Sequence, residues 1–265
     1  TMNFSSEANI IRALSKIVQS GHLEKGFKPV HWCTDCGSAL AEAEVEYQDK
    51  VSPAIDVAFT VVQAEEIAGA FKVASSELSD RPTQVVIWTT TPWTIPANRA
   101  VSLHPELEYS LVDMQFAGQP KRFVLASDLV EQCTKRYGAE SYKVVAVCLG
   151  EKLENLLLKH PLLDINVPII LGDHVTTESG TGCVHTAPAH GVDDFNVGKQ
   201  YNLEVYNPVG PNGVYIEGTP IFAGQHVFKA NKTIVEALDE VNSLVLNVNY
   251  EHSYPHCWRH KTPII

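Results

Sequence analysis

Trp88-Thr89-Thr90-Thr91-Pro92-Trp93-Thr94-Ile95-Pro96-Ala97-Asn98 follows the run Gln84-Val85-Val86-Ile87-Trp88, and the fold reads outward from that junction. The run is β-branched and aromatic and carries no charge, which is the composition of a buried strand. Successive strand side chains point to opposite faces, so three threonines in a row put hydroxyls on both. Pro92 and Pro96 then end strand pairing and fix a bent, rigid loop. The expected product is a polar rim on an apolar floor. A threonine run alone is ordinary strand composition, so any chemistry lies in the whole string.

The flanking pattern sets the fold class. Ala43 to Val62 alternates, with Glu42, Glu44 and Glu46 set against Ala43, Val45 and Tyr47, as a half-buried sheet requires. A short helix is expected over 65–71. Short strands are expected at 100–103, 109–112, 122–126 and 143–148, with a helix begun by Ser127 as its cap between the last two. Cys133 and Cys148 read as buried small apolar residues. Further on come a helix from about Lys229 to Val241 and a strand from Leu244 to Tyr250. Many short strands with a few helices between them imply an α+β domain with a β-barrel-like sheet and peripheral helices.

Composition narrows the class. The chain has 265 residues, 45% hydrophobic and 19% charged, enough for a real core. No apolar run approaches the ~20 residues needed to span a bilayer, so no membrane partner is expected. The start, TMNFSSEANIIRALSK, lacks a signal-peptide core. It reads instead as a helix capped at Ser5-Ser6-Glu7, with an apolar stripe at Ile10, Ile11, Leu14, Ile17 and Val18 that needs a partner surface. The reading places the chain in the cytoplasm. A formal charge of −11 argues against broad nucleic-acid affinity, which rests on Lys and Arg, so any RNA contact has to be local.

Cys33-Thr34-Asp35-Cys36 puts two sulfurs on one tight turn. Alone, that spacing leaves zinc, redox use and coincidence open. Cys257-x-x-His260 near the far end has the matching spacing. Together Cys33, Cys36, Cys257 and His260 make a tetrahedral shell for a structural zinc, worth on the order of 10–16 kcal/mol in small sites. Four protein ligands leave no open position, so the shell is a clamp across a long loop, as expected where an inserted domain leaves and re-enters its host.

The second chemical stretch is Gly180-Thr181-Gly182-Cys183-Val184-His185-Thr186-Ala187-Pro188-Ala189-His190-Gly191-Val192-Asp193-Asp194-Phe195. It reads as a strand reached through glycines, then a loop into a helix running from Asp193 to about Tyr201. Its imidazoles and carboxylates are the densest titratable cluster in the chain. Asp193 and Asp194 also suit first-turn helix acids.

Taken whole, TTTPWTIPAN and GTGCVHTAPAHGVDD resemble, in order and spacing, the two signatures of the editing domain of isoleucyl-tRNA synthetases. Valyl and leucyl relatives carry arginine at the Thr91 position and an acid at the Trp93 position, which selects the isoleucine family. The resemblance implies a division into residues 1–28, a helix remnant of the host catalytic domain; 29–47 with 250–265, a small zinc-knuckle-like stalk; and 48–249, the editing domain. No HIGH-like or KMSKS-like string occurs, so synthetic activity is not expected. The final residues carry no helix-capping or stop signal, which fits a chain cut from a longer one.

The same resemblance implies hydrolysis of valyl-tRNA(Ile), and of valyl-adenylate as a second substrate, by a positioned water with no cofactor for the chemistry. Isoleucine would be excluded by size. Thr89, Thr90 and Thr91 would hold the adenosine and aminoacyl ends, Trp93 and Thr94 would shape the pocket, and His185 would limit the side chain admitted. Asp194 would pair with the substrate ammonium; Asp193 is the weaker carboxylate candidate and His190 a supporting one. Partners would be the acceptor end of the tRNA and the remainder of the synthetase. Two other readings stand beside this one: a metal-dependent hydrolase using His185, His190 and Asp194, and a zinc-stapled binding module without catalysis.

Overall fold

A computed structural model describes residues 2–23 and 25–265. Helix α1 (Phe4–Gln19) is followed by short strands β1 (His31–Cys33) and β2 (Ser38–Leu40), the long strand β3 (Val45–Val61), helices α2 (Ala64–Phe71) and α3 (Ser75–Leu78), and strand β4 (Thr83–Thr89). Strands β5 (Ala100–Leu103), β6 (Glu108–Phe116) and β7 (Gln119–Ala126) precede helix α4 (Val130–Tyr137) and strand β8 (Ser141–Leu149). Then come β9 (Leu157–Lys159), β10 (Asn166–Leu171), β11 (Val184–Thr186), α5 (Val192–Gln200), α6 (Val227–Glu240) and β12 (Leu244–Cys257).

One large mixed sheet runs in the order β11-β5-β10-β9-β3-β4-β7-β6-β8, with β5–β10 and β4–β7 parallel. Strand β12 pairs with β3 from Leu244 opposite Val57 to Cys257 opposite Val45. The two halves of β3 have different surroundings. Ala54 to Phe59 are all buried, where β12 pairs with the segment up to Val57 and β4 from Ile55 onward. Before Ala54 the strand has only β12 as a ladder partner, and its side chains are mostly exposed. The β3–β12 ribbon thus projects from the sheet, and its tip carries Cys257. The ladder runs without a break through residues 47–48 and 249–250, where the stalk was expected to end.

The α+β class holds, whereas the expected barrel is an open, curled sheet. Among the described residues no ladder joins β8 to β11. The strap leading into β11 bonds instead to β7 and β6: Ala126 N donates to Thr181 O at 2.9 Å, and the Tyr109 hydroxyl donates to Gly182 O at 2.7 Å. Local expectations differ at four places. Helix α1 starts at Phe4, and Asn3, not Ser5, caps it by accepting from Ser5 N. Glu42–Glu44 form a 3-10 turn, because the Glu44 carboxylate reaches back to Ala41 N. Ser127 opens a 3-10 turn rather than capping a helix, its hydroxyl being bonded to Ser110. Cys133 is buried as expected, but Cys148 is only half-buried.

Helix α6 buries Val227, Ala230, Ile234 and Leu238 at helical spacing against the sheet. Helix α1 buries nothing: Ile10 and Ile11 are 62% and 67% exposed. No helix among the described residues is long and apolar enough to cross a membrane.

A buried ion pair sits where β3 and β4 meet the second stretch. Asp56, opposite Trp88 in the ladder, accepts from Arg136 at 2.6 Å and from the Tyr137 hydroxyl at 2.8 Å, and Arg136 also donates to Gly180 O at 3.3 Å. Burial pushes the Asp56 carboxyl upward against the pull of the Arg136 cation. Arg136→Ala would strand that charge and should cost about 3–5 kcal/mol in urea unfolding, while the double variant Asp56→Asn/Arg136→Ala, with neither charge present, should lose less.

Candidate functional site

The threonine stretch is a turn held from several sides. Strand β4 ends at Thr89, whose hydroxyl accepts from Thr91 N at 3.0 Å. Within the bent, rigid segment expected from the two prolines, residues Pro92–Ala97 form a buried 3-10 helix, begun by Pro92, which needs no N–H there. Two groups fix it from outside, and its cap residue Asn98 bonds onward into β5. The Tyr215 hydroxyl donates to Trp93 O, His160 Nε2 donates to Ile95 O at 3.0 Å, and the Asn98 amide donates to Ala100 O at 2.8 Å. Trp93 and Thr94 are 5% and 7% exposed, so they belong to the wall. Thr89, Thr90 and Thr91 are half-buried. The Thr90 and Thr91 hydroxyls have no partner among the described residues, which leaves them available to a ligand.

His185 joins the two stretches. The Asn98 nitrogen that donates to the Ala100 carbonyl also lies 2.7 Å from His185 Nδ1, so Nδ1 must accept and the ring proton sits on Nε2. Nε2–H then donates to Thr94 Oγ1 at 2.9 Å, and that hydroxyl in turn donates to Thr91 O at 2.9 Å. Burial, with His160 and His190 nearby, pushes the imidazole down to about 3, so it stays neutral. With both ring nitrogens engaged, His185 presents a ring face and no free lone pair. His190 packs edge-on to Trp93, ring centroids 5.1 Å apart, and burial pushes it down to about 4. Arg99 N donates to Thr186 O at 2.9 Å, completing the seam.

Asp194 lies in the first turn of α5. Its Oδ2 accepts from Ala187 N at 2.8 Å, two residues past His185. Burial, reinforced by Asp193, raises its carboxyl to about 6 even though the amide pulls the other way. Asp193 itself is exposed. Glycine is required in the strap: Gly182 has φ +73°, and a Cβ there would lie 2.3 Å from the Ala126 Cβ. Sequence reading assigned no role to Asn98, His160 or Tyr215. Asn98 stands inside the quoted string, whereas nothing local marks His160 or Tyr215, whose partners are distant in the chain.

The cysteines form a separate cluster at the ribbon tip. The ligand atoms of Cys33, Cys36, Cys257 and His260 all lie within 4.8 Å of one another, with Cys36 Sγ 3.1 Å from His260 Nδ1 and 3.7 Å from Cys257 Sγ. A tetrahedral zinc with thiolate bonds of about 2.3 Å needs ligands roughly 3.5–4 Å apart, so the donors fit and could hold a metal ion. His185, His190 and Asp194 form no such group among the described residues.

The family model for tRNA synthetases class I (I, L, M and V) matches residues 1–232. The chain belongs to this family. This class I synthetase chain is 66% identical over 265 residues to an isoleucine–tRNA ligase of Pseudoalteromonas atlantica and 62% identical to that of Shewanella piezotolerans; it is matched in full and spans 28% of each relative's length. Among solved structures, the P. knowlesi cytosolic leucyl-tRNA synthetase editing domain superposes with a TM-score of 0.58 at 11% identity, covering 77% of this chain and 97% of that one. The P. falciparum counterpart gives 0.59 at 10% identity, covering 76% and 100%. The synthetase chain therefore has the fold of those editing domains.

The raised Asp194 carboxyl makes stability depend on pH. A folded-state value of about 6 against an ordinary 3.8 means that the fold favours the protonated form. That stabilisation is fully present below about 3.8 and is lost as pH rises through about 6, a swing of about 3 kcal/mol. Unfolding curves of the wild type should show this component between pH 4 and pH 7, and those of Asp194→Asn should lack it.

Proposed function

We propose that this chain is the editing domain of an isoleucine–tRNA ligase and hydrolyses valine esterified to the terminal adenosine of the isoleucine tRNA, with valyl-adenylate as a second substrate. The observation that carries the reading is the seam through His185, which holds the two signature stretches at one place with unpartnered threonine hydroxyls beside it. The high identity to isoleucine–tRNA ligases supports the isoleucine assignment, and the fold supports editing.

The chemistry asks for positioning. An isoleucine pocket cannot strongly reject valine, because one methylene is worth only ~1–3 kcal/mol, a limit for which the isoleucine enzyme is itself the standard example. A second, smaller pocket reverses the selection. Water attacks the ester carbonyl, the acyl–oxygen bond breaks, and valine and a free ribose hydroxyl leave. An aminoacyl ester is already reactive, so holding it against a water supplies much of the acceleration. Thr89, Thr90 and Thr91 bind the adenosine and aminoacyl ends, and Asp194, as the carboxylate, pairs with the α-ammonium. Trp93, Thr94 and His185 form the wall that excludes the larger side chain. Residues 48–249 make the editing domain, 29–47 with 250–265 the stalk, and 1–28 part of the host catalytic domain. The apolar face of α1 would lie against the remainder of that cytoplasmic enzyme.

The cysteine cluster holds a structural zinc in this reading, and it takes no part in hydrolysis. Metal analysis should find one equivalent of zinc, lost in Cys33→Ser together with thermal stability.

A deacylation assay tests the function. Valyl-tRNA(Ile) should be hydrolysed well above background and isoleucyl-tRNA(Ile) should not; equal background loss of both would refute the reading. Asp194→Asn should slow the valyl reaction about 10–100-fold, the worth of ~1.5–3 kcal/mol for a hydrogen bond to a charged group. The wild-type rate should fall as pH drops through about 6, where Asp194 takes up its proton.

A further inference from the structure

An open groove of about 540 Å³ runs between the projecting part of the β3–β12 ribbon and α6. Its charge runs against that of the chain. The whole sequence carries −11, yet the groove is lined by Lys50, Lys229 and Lys232 with Glu236 as its one acid. Lys50 Nζ sits 4.5 Å from the Phe228 ring centre and 4.2 Å from that of Tyr254, partly out of water, and burial lowers its affinity for the proton. Neither Lys50 nor Lys229 is in an ion pair among the described residues. Lys232 meets only Glu236, at 3.7 Å, in an exposed pair that contributes little. Asn231 also lines the groove, and its buried side-chain oxygen has no partner among the described residues. That oxygen can accept from a ribose hydroxyl or a base amine, neither of which a simple inorganic anion offers.

The register shows where the groove leads. Asn247, Ile55 and Thr89 form one row across β12, β3 and β4, and Asn249 pairs with Pro53 two rows further out. Strand β4 stops pairing at the Ile55–Thr89 row, so β3 from Lys50 to Pro53 has no β4 neighbour and forms the floor of the groove. From Ile55 to Lys50 is about 17 Å of extended strand. A single strand reaching the threonine stretch by this path passes the three lysines.

We infer that this groove binds the phosphodiester backbone of the single-stranded RNA end whose terminal ester is presented to Thr89–Thr91. This rests on the editing function proposed above. The lysines supply the phosphate contacts, and Asn231 and Asn247 the polar contacts to sugar or base.

Fluorescence anisotropy with labelled, uncharged isoleucine tRNA, titrated at several salt concentrations, tests the inference. Lys229→Ala/Lys232→Ala changes only exposed side chains and should weaken binding at least tenfold. It should also flatten the slope of log affinity against log salt by about 1.4, at ~0.7 per single-strand phosphate contact. Glu236→Gln should tighten binding, a gain that misfolding cannot mimic. All three proteins should hydrolyse 3′-O-valyl-adenosine, which has no phosphate, at one rate. Unchanged affinity and slope in the double variant, or an equal loss for a duplex DNA of the same length, would overturn the groove assignment. Failure of the unaltered protein to hydrolyse valyl-adenosine, with the lysine dependence intact, would instead strike the editing function and leave the groove standing.

Discussion

A neutral, buried imidazole holds the site together. His185 accepts from Asn98 and donates to Thr94, which in turn donates to the Thr91 carbonyl, so partners 87 and 91 residues apart become one hydrogen-bonded line. Asn98, Thr94 and His185 are buried and Thr91 is half-buried, so losing a bond among the first three would leave an unpaired polar group inside the protein. The same burial that keeps the ring uncharged also commits both of its nitrogens. In the proposed function its contribution would therefore be shape, and polar recognition would fall to the threonines and to Asp194.

Asp194 is governed by the opposite balance. A single backbone amide compensates its burial incompletely, so the carboxyl remains poised near 6 instead of being locked as an ion. A cation arriving beside it would supply the missing compensation. Asp56 has that cation already, in Arg136, and serves to fasten α4 and the glycine strap to the centre of the sheet. The two carboxyls thus differ in what lies within hydrogen-bond reach: Asp56 has its cation and Asp194 has only an amide.

The ribbon solves a connection problem. The chain leaves and re-enters the sheet along β3 and β12, and the cysteine cluster closes the two at their outer end. Closing so long a loop is entropically costly, but the cost grows only slowly with length, and one compact Cys/His cluster beside a continuous ladder can set the direction of the whole ribbon. Because β4 pairs only with the inner part of β3, the outer part is left with a free edge, and the basic groove lies along it.

Much was legible locally. The buried strand before Thr89 follows from its uncharged β-branched run, the α6 stripe from its spacing, and the metal-type cluster from two pairs of matching spacing. The errors at Asn3, Glu44 and Ser127 are errors of hydrogen-bond partner: each has a side chain able to cap, and the choice depended on which backbone group was within reach. The α+β class, the place of the two signature stretches and the Cys/His set at the ribbon tip could be read from residue type and short spacing. Long-range contacts alone leave the sheet open, bring His160 and Tyr215 to the turn, occupy both nitrogens of His185 and gather three lysines in one groove. Those outcomes depend on which distant groups meet and on how much water is left between them, and short-range spacing encodes neither.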